Sequence, residues 1–149
     1  MNEKPGSNSA IDAPLTAILK QIDAARESGA SDDEKKLARF CFDIGGTLAA
    51  ADLIDDDLFA LSSALKANHP RFFDFSAENL SAMTRFYRTY NGHAVLETLI
   101  DAISWPKHLA ILDRCDNDRA QEFYIRMTRK FDWSEQILIK KIEDFRPPK

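Results

Sequence analysis

Apolar side chains recur every three or four residues along most of the chain, which is the spacing that places them on one face of an α-helix. Between residues 76 and 90, for example, Leu80, Met83, Phe86, Tyr87 and Tyr90 share such a face. No segment alternates between apolar and polar positions for long enough to predict a β-strand. The sequence therefore predicts an all-α fold, a compact single domain of about eight short helices.

Residues that favour helix ends mark the boundaries of these helices. The predicted ranges are 14–28, 31–52, 55–66, 76–90, 94–103, 105–115, 118–131 and 134–145. Ser31 and Glu34 have the spacing of a capping box, and Ser104 with Pro106 in the following turn predicts another helix start. Residues 1–12 are predicted to be a disordered tail, which leaves residues 13–146 as the folded domain.

Two features predict how helices meet. Gly45 and Gly46 interrupt the second helical pattern, which indicates a kink or a close crossing by a neighbouring helix. The two helices within residues 57–90 are a candidate helix-turn-helix-like element, although the loop Ala67–Phe75 is longer than the usual turn of that motif.

The helical faces also define a predicted core. It is built from Phe40, Ile44, Leu80, Met83, Phe86, Tyr87, Leu112, Phe123, Tyr124, Met127, Phe131, Leu138 and Ile142.

Charge is unevenly distributed along the 149 residues. The net charge is −4, but residues 1–80 hold 8 Lys and Arg against 14 Asp and Glu, whereas residues 81–149 hold 12 against 10. This is not the strongly basic balance of a typical nucleic-acid-binding domain. The chain begins without the apolar segment of a secretory signal and has no run of about 20 apolar residues. We therefore expect a cytoplasmic protein that makes no membrane contact.

The common catalytic motifs are missing from the sequence. Three histidines and two cysteines are too dispersed for the paired ligands of a zinc site. The acidic run Asp55–Asp57 is explained by the helix start at which it lies. We expect no cofactor, no metal and no small-molecule substrate, and we expect that the isolated chain is not an enzyme.

Two basic surfaces remain as candidate contact sites. Arg119, Arg126 and Lys130 fall on one stripe of the 118–131 helix, and the outward face of the Ser76–Tyr90 helix carries Ser81, Arg85 and Arg88. Each surface is either an ordinary solvated face or a contact for nucleic acid or for a protein partner.

Five segments, taken in order, resemble the helical N-terminal domain of the YhcG-type nucleases, a domain of unknown function. They are "FDIGGTL", "FSAENLSAMTRFY", "SWPKHLAIL", "EFY" and "WSEQILIKKI". The residues that carry the resemblance as a structural signature are Phe75, Ser76, Asn79, Leu80, Phe86, Tyr87, Trp105, Phe123, Tyr124 and Trp133. The resemblance implies that Trp105 and Trp133 begin two successive packed helices.

In that family the enzyme chemistry belongs to a separate C-terminal PD-(D/E)xK domain, and this sequence has no counterpart of it. The resemblance therefore implies a non-enzymatic protein-interaction or assembly module, whose partner is a second copy or a larger nuclease-type protein that it regulates. The alternative is a nucleic-acid-binding domain that uses the two basic surfaces. Family members usually carry a basic or histidine residue at the positions of Thr84, Lys107, Gln121 and Gln136. Three of these four are neutral here, which predicts a retained fold with a changed surface.

Overall fold

The computed structural model describes residues 9–145 and contains seven α-helices and no β-strand in this range. The helices are α1 (Ser9–Glu27), α2 (Glu34–Ala51), α3 (Asp55–Asn68), α4 (Ala77–Tyr90), α5 (Trp105–Arg114), α6 (Asp118–Phe131) and α7 (Glu135–Phe145). A 3-10 turn, Ala30–Asp32, precedes α2, and a 3-10 helix, Leu96–Ala102, lies between α4 and α5. The all-α prediction with about eight helices is confirmed.

The first helix begins earlier than predicted. α1 starts at Ser9, and Ile11 and Pro14 are buried along with Ile18 and Ile22, at the spacing of one helix face. Burial of this face stabilises a turn that the local sequence did not predict, because Pro14 had marked the helix start. The prediction of a disordered tail is therefore wrong for residues 9–12, while residues 1–8 lie outside the described residues.

The second helix has a different cap from the predicted one. Asp33 is its N-cap, and the Asp33 carboxylate accepts hydrogen bonds from the backbone N–H groups of Lys35 and Lys36 at 2.9 and 3.2 Å. The capping box predicted from Ser31 and Glu34 is wrong, since residues 30–32 form the 3-10 turn.

The close crossing predicted at Gly45 and Gly46 is confirmed, with α2 running unbroken through both residues. A Cβ atom on Gly45 would lie against the backbone carbonyl of Met83 and 2.9 Å from the Cβ of Tyr87. A Cβ on Gly46 would lie 2.9 Å from the Tyr87 ring. The two glycines therefore let the backbones of α2 and α4 approach closely at the centre of the domain.

Most of the predicted core is buried, and two residues are not. Phe123 is 50 % exposed and Phe131 is 53 % exposed, so the prediction that both lie in the core is wrong. Tyr87 and Met127 are half-buried, and the remaining predicted core residues are buried. Ile125, which was not among the predicted residues, is fully buried and takes the place of Phe123 and Phe131 in α6.

The C-terminal half of the domain is assembled around α5. This helix packs against α2, α4, α6 and α7, and the 3-10 helix Leu96–Ala102 lies between α2 and α6. Trp105, the first residue of α5, is buried against Phe86, with ring centroids 5.2 Å apart. Over residues 9–145 we find no helix with both the length and the apolar character needed to span a membrane.

Candidate interaction surface

Helix α6 carries three distinct stripes along its length. The Asn117 side chain caps its start by accepting a hydrogen bond from the Ala120 N–H at 2.8 Å, and Asp132 ends it in the left-handed conformation with φ of 51°. One stripe is buried and one is basic. The third, between them, is apolar and faces outward.

The buried stripe contains two polar residues. Gln121, Tyr124, Ile125 and Thr128 face the core at helical spacing. The Gln121 amide donates a hydrogen bond to the Cys115 carbonyl at 2.9 Å, which satisfies it. Gln121 is therefore an interior residue, so its difference from the usual family residue does not change the surface as predicted.

The outward apolar stripe continues from α6 onto the connection to α7. Phe123, Met127 and Phe131 follow one another at four-residue intervals, and Phe131 stacks on Trp133 with ring centroids 6.0 Å apart and planes at 20°. Ile137, 47 % exposed, follows in the first turn of α7. We call these five residues the aromatic strip. An exposed apolar strip of this kind marks a contact surface more often than scattered single residues do.

Lysine side chains lie over the rings of the strip. The Lys130 ammonium is 5.5 Å from the Phe131 ring centroid, and the Lys141 ammonium is 5.6 Å from the Trp133 ring centroid. These cation–π contacts add positive charge along the edge of the apolar surface. The aromatic strip is therefore apolar with a positively charged edge.

Several of the predicted contact cations are already paired with carboxylates of this chain. Arg85 binds Asp113 at 2.5 Å, and Arg88 lies 3.9 Å from Asp52. Arg126 binds Glu122 at 2.8 Å along the same helix. The remaining predicted contact residues are Ser81 and Arg119, which are exposed, and Lys130, described above.

The two predicted basic surfaces lie on helices that do not pack directly against each other. Within residues 9–145, α4 and α6 make no backbone contact, although Arg85 of α4 lines a cleft together with Asp118 and Gln121 of α6. Helices α3 and α4 do contact each other, but eight residues, 69–76, connect them. This connection is longer than the three or four residues of a helix-turn-helix.

Most of the structural signature supports the interior. Ser76 caps α4 by accepting the Asn79 N–H at 3.1 Å, and the Asn79 amide donates to the Asp74 carbonyl at 2.6 Å. The buried members of the signature are Phe75, Leu80, Phe86, Trp105 and Tyr124. Trp105 begins α5 as predicted, whereas Trp133 lies in the connection before α7. Phe123 and Trp133 belong to the aromatic strip instead.

Two further exposed apolar side chains lie at the start of α3. Ile54 is 65 % exposed and Phe59 is 68 % exposed, and between them in sequence stand the exposed residues Asp55 and Asp56. We call these four residues the acidic patch. Its charge is opposite to that of the lysine-edged aromatic strip, and α3 makes no contact with α6 or α7 within the described range.

Sequence reasoning missed the aromatic strip because it assigned the most apolar stripe of α6 to the core. One feature of the sequence could have revealed the strip: α6 has two sets of side chains at the spacing of a buried helix face. The fold buries the one that includes Gln121 and Thr128. The alternative stripe then has to face outward.

Comparison with known families places the domain. No curated protein and no solved structure matches the chain. The model of the DUF1016 N-terminal domain matches residues 17–145, which is most of the chain and nearly all of the fold described above. The chain therefore belongs to the DUF1016 N-terminal domain family, a family of unknown function.

Proposed function

We propose that this protein is a non-enzymatic assembly module that binds protein through the aromatic strip. The observation that carries the proposal is the exposure of Phe123 and Phe131, each about half accessible on a helix whose neighbouring stripe is buried. Exposed aromatic residues and Met are enriched in protein interfaces, where they supply contact area at a small entropic cost.

The partner that fits the strip best is a second domain of the same kind. The acidic patch is complementary to the strip. Ile54 and Phe59 are apolar like the side chains of the strip, and Asp55 and Asp56 have the charge opposite to that of its lysines. Two different surfaces of one domain that complement each other give head-to-tail contacts between copies. The charge of the whole chain is divided in the same way. Residues 1–80, which contain the acidic patch, are acidic, and residues 81–149, which contain the aromatic strip, are slightly basic.

The second domain can come from another copy of this chain or from a larger relative that carries a nuclease domain. The resemblance to the YhcG-type nucleases supports the second source, because a domain that shares the fold can share the contact. In that case the chain would regulate the relative by occupying one of its assembly surfaces.

Nucleic-acid binding is the alternative function. It is supported by the common stripe of Arg119, Arg126 and Lys130 on α6. The ion pairs of Arg85 with Asp113 and of Arg126 with Glu122 weigh against it, since they neutralise charges that phosphate would need. The acidic net charge weighs against it as well.

Light scattering across a concentration series tests the proposal. We expect the mean mass of the wild-type chain to rise with concentration, and Phe131→Ser and Phe59→Ser each to reduce the rise. Phe145→Ser is the matched control, because Phe145 is 64 % exposed on α7 but lies outside both surfaces.

Regulation of a relative is tested with a purified family member that carries a nuclease domain. Sedimentation of the mixture should show a complex with the wild-type chain that Phe131→Ser weakens. A wild-type chain that stays monomeric and forms no such complex, yet shifts a DNA or RNA probe at low salt, would establish the alternative instead.

A further inference from the structure

A groove of about 660 Å³ lies between the end of α1 and the start of α2. These helices belong to the N-terminal part of the chain, whereas the aromatic strip belongs to the C-terminal part. Its floor is formed by the buried residues Ala25, Ala30 and Phe40, and the exposed Ala24 lines its rim. The volume falls within the range of small-molecule pockets, which is about 300–1,000 Å³.

Small side chains are the reason that the groove exists. Ala24, Ala25, Ser28 and Ala30 line the α1 side and its following turn. None of them extends far enough to fill the space in front of Phe40. The groove is therefore concave and has an apolar floor. The side chains of the aromatic strip, in contrast, project outward.

The two ends of the groove have different charge. Lys35 and Lys36 line the end at the first turn of α2, and Lys36 reaches across to donate a hydrogen bond to the Ser28 carbonyl at 2.8 Å. The carboxylates that line the groove, Asp43 and Asp101, lie toward the other end. There Asp101 forms an ion pair with Arg39, with an N–O distance of 3.4 Å.

The lysine end has no carboxylate of the groove lining to neutralise it. The Asp33 carboxylate caps the first-turn N–H groups of α2, so the positive charge at this end of the groove is that of the Lys35 and Lys36 ammonium groups. A negative group placed over this end would be attracted by both lysines while its apolar part covered the alanine and phenylalanine floor.

We propose that this groove binds a small amphipathic anion, a molecule with an apolar body and a single carboxylate or sulfonate head. The apolar body lies on Ala24, Ala25 and Phe40, and the head faces Lys35 and Lys36. This ligand site is independent of the proposed assembly contact, since it shares no residue with the aromatic strip or the acidic patch.

Calorimetry with decanoate tests the site. We expect saturable binding of one decanoate per chain, weakened about tenfold or more by Ala24→Phe, which would place a ring in the groove from an exposed helix position. Lys35→Glu should weaken decanoate binding by a similar factor but leave the binding of the uncharged analogue decanol almost unchanged. Lys66→Glu, an exposed lysine of α3 outside the groove, is the matched charge control and should bind decanoate like the wild type.

The folding of each variant is checked by its helical circular dichroism, and Ala24→Leu provides a second, smaller obstruction if Ala24→Phe does not fold. Phe131→Ser should retain decanoate binding, which separates this site from the assembly surface. The proposal is overturned if the wild type shows no saturable binding, or if both Ala24 variants fold and bind decanoate as tightly as the wild type.

Discussion

His108 is fully buried, and both of its ring nitrogens have a hydrogen-bond partner. Nε2 lies 2.9 Å from the Ile100 carbonyl, and Nδ1 lies 2.9 Å from the Tyr90 hydroxyl. Because a carbonyl can only accept, Nε2 must carry the proton and Nδ1 must accept from Tyr90. Burial, opposed in part by the hydrogen bond to Ile100 and the charge of Asp101, lowers the pKa of His108 to about 4. The imidazole is therefore neutral in the folded domain at neutral pH.

This neutral histidine predicts a loss of stability in mild acid. The unfolded chain binds a proton near the ordinary pKa of 6.5, whereas the folded chain does so only near 4, so acid favours unfolding across that window. The loss should approach about 1.4 kcal/mol per pH unit and reach about 3 kcal/mol in total. Urea unfolding between pH 7.5 and pH 4 measures it.

The control for this prediction is His108→Gln, which removes the titrating group. It should be less stable at neutral pH but should show a flatter profile from pH 6.5 to 4. The lowered pKa of Asp118 acts only below about 3.8, and the raised pKa of Asp43 acts with the opposite sign. A His108→Gln profile as steep as that of the wild type would contradict the assignment.

Thr128 is the opposite case, a buried polar group without a partner. Its hydroxyl is buried and makes no hydrogen bond among the described residues. Replacing it by a methyl group of similar shape removes the cost of that desolvation. We expect Thr128→Val to raise the free energy of unfolding by about 1 kcal/mol in denaturant titrations.

Thr84→Val serves as the comparison, because the Thr84 hydroxyl donates a hydrogen bond to the Leu80 carbonyl at 3.1 Å. That substitution should give a smaller gain or a loss. If Thr128→Val proves less stable than the wild type, the hydroxyl has a role in packing that its hydrogen-bond count does not reveal.

At the scale of elements, the α2–α4 crossing depends on two glycines that are not equivalent. The added Cβ at position 45 meets backbone, whereas the one at position 46 meets only the Tyr87 ring. A side chain can move more cheaply than a backbone carbonyl, so the two positions should tolerate alanine differently.

We therefore expect Gly45→Ala to lower the free energy of unfolding by about 2 kcal/mol or more, despite the better helix propensity of alanine. Gly46→Ala should cost clearly less, since the gain in propensity of up to about 1 kcal/mol offsets the shift of the Tyr87 ring. Thermal unfolding of the pair measures the difference. Equal stability of the two variants would mean that α4 can move away from α2 without cost.

At the scale of the whole molecule, the aromatic strip and the acidic patch predict a charge-dependent assembly. Arg119 and Lys130 flank the strip, and Asp55 and Asp56 belong to the patch. Reversing either pair of charges places like charges opposite each other in the proposed contact.

We expect Arg119→Glu with Lys130→Glu, and Asp55→Lys with Asp56→Lys, each to weaken self-association, and an equimolar mixture of the two double variants to restore it in part. Because these charges are exposed, salt near 1 M should weaken the wild-type association too. The measurement is sedimentation at low and high salt. If self-association does not recover in the mixture, the strip does not pair with the patch.

Much of the fold was predictable from local pattern. The 118–131 helix was predicted with the boundaries it has, and the cap at Ser76 and the close approach at Gly45 follow from residue chemistry that acts over a few positions. Such features depend on hydrogen bonds and backbone freedom close in sequence, so they could be read without knowing the fold.

The candidate surfaces were decided by tertiary packing. The sequence supplied two candidate core stripes on α6, one apolar and one that mixes Tyr124 and Ile125 with Gln121 and Thr128, and only the positions of α5, α7 and the 3-10 helix Leu96–Ala102 determine which one is buried. The same holds for the early start of α1, which depends on burial of Ile11, and for the groove, which depends on how far α1 and α2 stand apart. Helical periodicity specifies which residues share a face, but it carries no information on which face meets a neighbour, because that contact joins residues distant in sequence.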